Sequence, residues 1–299
     1  MKVIENPKIQ SIKPIIKYQF DDIKKSLNAN SALYMMDNMM LTKLRQDIKR
    51  DQTVMMRGFH RSKVIIIPDV VLEEAIANIK SEIEFQKTYG HLFQILSAEH
   101  DVCIVDMEIM LQLLRDMLGT QENALYVLIH IAQEAVRTNR KILDAIREMN
   151  IHSKDVLDKL RNAIIHNGKN TGERFLTIFS LVFLCMYYGP VYIVSEDEKG
   201  VYGPYRTFLN NEQLLELIHI KNTEEFIANY QFISYEAILQ SIYHREGLEK
   251  TELLDLIEGS SRDSSRRMLY SLNGEPFYTE VPNKKLAEWI TSGIIHIKF

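Results

Sequence analysis

Cysteine is scarce in this 299-residue chain: there are two, Cys103 and Cys185. Both sit in apolar runs, Val102-Cys103-Ile104-Val105 and Phe183-Leu184-Cys185-Met186. That usage excludes a disulfide framework and leaves two buried, reduced thiols as the expectation, as in a cytoplasmic protein. Long hydrophobic runs are lacking as well. The most apolar segment, 175–188, is too short to span a bilayer and is closely flanked by Glu173 and Arg174, so no membrane is expected as a partner. The N-terminal residues hold no continuous apolar core, which argues against a signal peptide. Repeats and low-complexity tracts are absent. So is an excess of positive charge: a net charge of -4 and a pI near 6.2 do not advertise a nucleic-acid binder. They do not exclude one, because an acidic metal site masks basic surface elsewhere. With 46% hydrophobic and 25% charged residues, the chain has the make-up of a soluble globular protein. Its length allows a full α/β domain with an appendage.

What is present is organised around Pro190-Val191-Tyr192-Ile193-Val194-Ser195-Glu196-Asp197-Glu198-Lys199-Gly200. A breaker opens a short β-branched run that stops abruptly in acids and a glycine. A buried parallel strand has this form, and open α/β sheets bind ligands at such carboxyl ends. Upstream, Thr171-Gly172-Glu173 opens an apolar helix over 174–188. Two further stretches match: 31–36 runs into Asp37, and Val64-Ile65-Ile66-Ile67-Pro68 leads into a helix holding Glu73 and Glu74. Several acids gathered in one crevice repel one another, and a divalent cation is the simplest use for them.

Read in order, residues 1–30 form an N-terminal arm with a short helix over 21–27. A helix from Asn38 to about Lys49 follows the first strand. The second strand opens a helix reaching about Tyr89, and the third, 102–105, ends in Asp106, which caps a helix over 107–118. A long helix is expected over 121–150, then another over 154–165 ending at His166-Asn167-Gly168. Ile218-His219-Ile220 is a candidate fifth strand. In the last part, 234–245, 250–258 and 263–272 read as helices, the third bearing Arg262, Arg266 and Arg267. Short strands are expected at 277–281 and 294–299. The span from Lys43 to Lys63 is the most basic in the chain. Because it follows Asp37, Lys43, Arg57, Arg61 and Lys63 are expected to form a phosphate-contacting rim.

The series strand–Asp37, Ile67-Pro68-Asp69-Val70-Val71-Leu72-Glu73-Glu74, Gly172-Glu173 and Ile193-Val194-Ser195-Glu196-Asp197 resembles a PIN-like nuclease domain over about residues 31–230. The resemblance implies a parallel sheet flanked by helices and acids that bind Mg²⁺ or Mn²⁺ to hydrolyse phosphodiesters, RNA favoured over DNA. It also implies roles residue by residue. Asp37 and Asp197 would be central metal ligands and catalytic groups, Glu74 and Glu173 would hold further waters or a second ion, and Ser195 would be the substrate-side hydroxyl. Met39 departs from the family, which often has a polar residue there, and the inserted helices and residues 231–299 are not standard. That last region is expected as a mostly helical or winged-helix-like appendage docked on the main domain, a route to a protein partner or a second copy.

Two alternatives compete. Arg161-Asn162-Ala163-Ile164-Ile165-His166 resembles the signature of HEPN ribonucleases, all-α proteins that cleave RNA without metal through such an Arg and His. A helix C-terminus would explain the same residues, since His suits the dipole there. The other alternative is a non-catalytic nucleic-acid or partner-binding module with 263–272 as recognition helix. The acids Glu249, Glu252, Asp255 and Glu258 argue against duplex binding by that segment.

Overall fold

A computed structural model describes residues 3–50, 53–166 and 170–298. It is α/β. Five parallel strands form the main sheet: β1 (Leu33–Met36), β2 (Val64–Pro68), β3 (Asp101–Val105), β4 (Val191–Val194) and β5 (Tyr230–Ile233), in the order β3-β2-β1-β4-β5. Helices α1 (Phe20–Asn28), α2 (Asn38–Lys49), α3 (Asp69–Ile76), α4 (Glu82–Phe85), α5 (His91–Glu99) and α6 (Met107–Leu118) accompany the first three strands. Then α7 (Gln121–Ala135), α8 (Arg140–Arg147), α9 (Val156–His166) and α10 (Thr171–Cys185) lengthen the crossover to β4. The path to β5 runs through α11 (Gly203–Phe208), α12 (Glu212–Leu217) and α13 (Thr223–Asn229). After β5 come α14 (Tyr235–Glu246), α15 (Lys250–Gly259), the antiparallel pair β6 (Ser265–Leu272) and β7 (Glu275–Pro282), α16 (Asn283–Ser292) and β8 (Ile295–Ile297). These last strands make a second sheet, β7-β6-β8.

The strands are apolar because both faces are covered. Leu33, Met35, Val64, Ile66, Val191 and Ile193 turn one way, against α6, α7, α9 and α10. Tyr34, Met36, Ile65, Ile67, Tyr192 and Val194 turn the other way, against residues 3–16, α2, α3, α5, α14, α15 and α16. Adjacent residues face opposite sides of a strand, and a two-sided parallel sheet therefore reads as a continuous apolar run. Cys103 and Cys185 are both buried and free, as expected. Among the described residues no helix is long and apolar enough to cross a membrane.

Several expected elements differ. Residues 263–272 are not a helix: β6 takes up 265–272, and Asn273 and Gly274 turn the chain with positive φ values of 51° and 91° into β7. A two-residue Asn-Gly loop is the preferred hairpin connection, so there is no recognition helix here. The fifth strand is Tyr230–Ile233 and not 218–220; those residues end α12, where His219 has a φ of 59° and Ile220 N donates to Leu215 O. The helix expected over 121–150 breaks at 136–139, where the Asn139 side chain caps α8. The helix after β2 stops at Ile76 and restarts with a Ser81 cap. Asn167, Gly168 and Phe299 lie outside the described residues.

Candidate functional site

The order of the main sheet reverses between β1 and β4. Those two strands pair from Leu33↔Val191 to Met36↔Val194, and Asp37 N extends the ladder by donating to Val194 O at 3.3 Å. At such a reversal the connections leave in opposite directions and a crevice opens beyond the strand ends. Asp37 and Ser195 stand there side by side. Asp37 caps α2, its Oδ1 accepting from Met40 N at 2.7 Å, and its Oδ2 accepts the hydroxyl of Ser195. The same Ser195 Oγ accepts Asp197 N at 3.0 Å. One buried hydroxyl thus fixes the carboxylate of β1 to the acidic turn of β4.

Glu173 and Glu74 complete the group. Glu173 lies in the first turn of α10, over Gly200, where a Cβ would collide with Asp197 Oδ2 and come within 3.0 Å of Glu173 Cγ. Only a glycine lets these two acids face each other so closely. Glu74 Oε1 accepts Gly172 N at 3.0 Å, and a Cβ on Gly172 would lie 2.8 Å from Glu74 Oε2. Burial pushes the Asp37 carboxyl up to about 7, against the hydrogen bonds from Ser195 and Met40, with Glu173 and Glu196 adding to the rise. Glu173 is raised by burial and by Asp197; Glu74 is raised by burial and by Glu173 and Glu73. Every one of the four acids singled out in the sequence is therefore within electrostatic reach of another, with Glu173 interacting with all three through its charge.

Carboxylate oxygens crowded this way suit a hard divalent cation, and Mg²⁺ keeps several waters and takes only one or two carboxylates from the protein. Among the described residues, no three His, Cys, Asp or Glu side chains already converge as a metal cage. If an ion binds here, Asp37, Asp197, Glu74 and Glu173 are the oxygen donors that would hold it, and waters would fill the rest of its shell.

The expected basic rim is not beside them. α2 starts at Asp37 and carries the chain to the other end of the sheet, so Arg57, Arg61 and Lys63 sit at the amino edge: Asp101 N donates to Lys63 O, and Arg61 N to Tyr34 Oη. Four to five strand residues at about 3.3 Å each separate that edge from the acids. Arg57 pairs with Glu246 at 3.2 Å, and the Arg61 guanidinium lies over the Tyr192 ring. Lys43 does lie on the crevice side, but its ammonium is 2.6 Å from Glu196.

Glu196 is the residue the sequence reading passed over. Its carboxylate is nearly inaccessible and is held by Lys43 and by Arg266, 3.2 Å away, which also donates to Glu196 O. Arg266 in turn pairs with buried Glu236, and Glu236 with buried Arg262 at 2.9 Å. A chain of three cations and two acids thus runs from under the acidic turn into the second sheet, and Tyr278 adds a hydrogen bond to Glu198. No local motif announces this; only the excess of arginine at 262–267 hinted at it. The competing Arg161 is paired with Asp69 at 2.9 Å and Glu73 at 2.8 Å, and His166 sits exposed in the last turn of α9.

Compared with protein-family models, curated proteins and solved structures, the chain matches none.

Proposed function

We propose that this chain is a divalent-cation-dependent nuclease that hydrolyses phosphodiesters, RNA by preference, in the crevice between β1 and β4. The observation that carries the reading is that Glu173 and Asp197 lie together over Gly200, while Asp37 shares the Ser195 hydroxyl with the Asp197 N–H, at the sheet reversal. Asp37, Asp197, Glu74 and Glu173 would hold Mg²⁺ or Mn²⁺, which when bound lowers the pKa of a water and offsets charge on a phosphate. The chain's own part is positional. Ser195 fixes the Asp37 carboxylate, the Asp197 side chain is aimed by the N–H groups of Lys199 and Gly200 at 3.0 and 2.9 Å, and Gly172 N holds Glu74. The pKa values of Asp37, Glu173 and Glu74 are raised first by burial and then by the neighbouring acids, and a bound cation would offset both by favouring their charged forms.

Cleavage of a labelled single-stranded RNA with Mn²⁺ tests this. EDTA should stop it, the products should carry 5′-phosphates, and Asp37→Asn and Asp197→Asn should each be inactive while folded. The Arg161/His166 chemistry predicts the reverse: cleavage that survives EDTA, leaves 2′,3′-cyclic phosphates and vanishes in His166→Ala. With Arg161 engaged by two carboxylates, His166→Ala is expected to keep most activity. An Asp37→Asn protein that cleaves normally would remove the metal-nuclease reading.

A further inference from the structure

Apart from the acid crevice, a cavity of about 980 Å³ forms a trough along the edge strand β5. The lining runs from His60 and Arg61, just before β2, to a second end at Tyr202 and Ile233, the last residue of β5. That second end abuts the acids. Ile233 O accepts Ser195 N, and Tyr202 N donates to Asp197 O, both at 3.3 Å. Neighbouring strands lie about 4.8 Å apart, so one strand spacing separates the trough's mouth from the acidic turn.

Three cations line it, Arg61, Arg245 and Lys298, with one carboxylate, Glu224, in the lining; of the three, Arg245 is paired with Glu246 at 3.1 Å and donates to Arg57 O. His60, His244 and His296 stand among them, all exposed. The wall toward the acids is aromatic: half-buried Tyr202 and Phe232 form the outer edge of a ring cluster, 5.3 Å apart, built on Tyr205 and Tyr230. Cations along a groove together with aromatic rings on which bases can stack are how proteins commonly hold single-stranded nucleic acid.

We propose that this trough binds the single-stranded RNA that leads into the crevice, with phosphates on Arg61 and Lys298 and bases against Tyr202 and Phe232. The proposal rests on the nuclease reading for what happens at the trough's end, but not for the binding itself. It also gives Arg61 a role that its distance from Asp37 had removed. A polypeptide strand is the competing occupant, since β8 forms the opposite wall. That edge is already closed: Gln240 Nε2 donates to Ile295 O at 2.9 Å and Gln240 Oε1 accepts Ile297 N at 3.3 Å, so an added strand would have to evict it.

The test is fluorescence anisotropy of a labelled twelve-nucleotide oligouridine with the full chain in EDTA. Arg61→Glu/Lys298→Glu should weaken binding about tenfold or more and lower the slope of log K against log salt by about 1.4, two contacts at about 0.7 each. Both side chains are exposed, and circular dichroism should show the parent's melting curve. A control reversal on the far surface, Lys141→Glu/Lys154→Glu, should bind like the parent. Asp197→Asn should bind undiminished though inactive. Equal affinity in the trough variant and the parent overturns the trough while leaving the nuclease reading intact, and so does equal loss in trough variant and control. Binding of extended peptides in place of RNA, blocked by the trough substitutions, overturns it as well. If Asp37→Asn cleaves normally but the trough variant fails to bind, the nuclease reading falls and the trough stands.

Discussion

Asp69 shows what burial does to a carboxylate that has a cation beside it. Its side chain is 2.9 Å from Arg161, yet burial pushes its pKa from 3.8 up to about 7, and its Oδ1 finds no hydrogen-bond donor among the described residues. The folded state therefore binds a proton that the unfolded state releases, so stability falls as pH rises from about 4 to about 7 and levels above that. Asp69→Asn should flatten this part of the melting-temperature profile measured between pH 4 and pH 8, at most by about 4 kcal/mol of stability. Equal slopes in variant and parent would contradict it. Ser195 supplies a second case. It is fully buried and serves both Asp37 and Asp197 N, so Ser195→Ala leaves an acceptor and a donor unmet. A loss of about 1–3 kcal/mol in urea unfolding is expected. The resemblance picked out Asp197 as the crevice acid and Ser195 as a hydroxyl on the substrate side; that Ser195 instead binds the Asp37 carboxylate, and that Glu196 is held by Lys43 and Arg266, could not be read from the sequence, because those partners come from distant parts of the chain.

At the scale of elements, glycines at the start of α10 and in the turn after β4 set the distances within the crevice. Gly172→Ala should cost little stability, because the atom in the way is the far end of a flexible glutamate and alanine favours a helix. It should displace Glu74 all the same. The expected result is a melting temperature within a few degrees of the parent's and a Mn²⁺ requirement shifted to higher concentration. An unchanged metal titration would show that Glu74 has no part in the site. The four strands that carry or border the acids were legible because each is a short apolar run ending in a polar residue, and the two-sided burial explains why. The hairpin β6–β7 was not recognised, although Asn273-Gly274 marks it: its alternation of buried Met268 and Tyr270 with more exposed neighbours competes with a helical reading of the arginines. The basic span misled for another reason. Nearness in sequence to Asp37 says nothing about nearness in space once an α2 of 12 residues, about 18 Å long, lies between.

For the whole molecule, residues 235–297 do more than cover a face. Tyr235 Oη lies 2.7 Å from both carboxylate oxygens of buried Asp47 on α2, Ser261 N donates to the same carboxylate at 2.7 Å, and the Glu196–Arg266–Glu236–Arg262 series ties the second sheet to the acidic turn. Arg262→Met would strand Glu236 with one of its two cations gone. A cost of about 3–5 kcal/mol is expected, seen as a lower urea midpoint at an unchanged slope. A polypeptide is made from its amino end, and this arrangement gives synthesis an order. Asp37, Glu74, Glu173 and Asp197 all emerge before Glu236, Arg262 and Arg266, so the turn holding Asp197 is exposed before the charges that anchor it exist. A growing chain carries the acids of the crevice without their frame, and whatever chemistry the crevice performs waits for the residues that follow it.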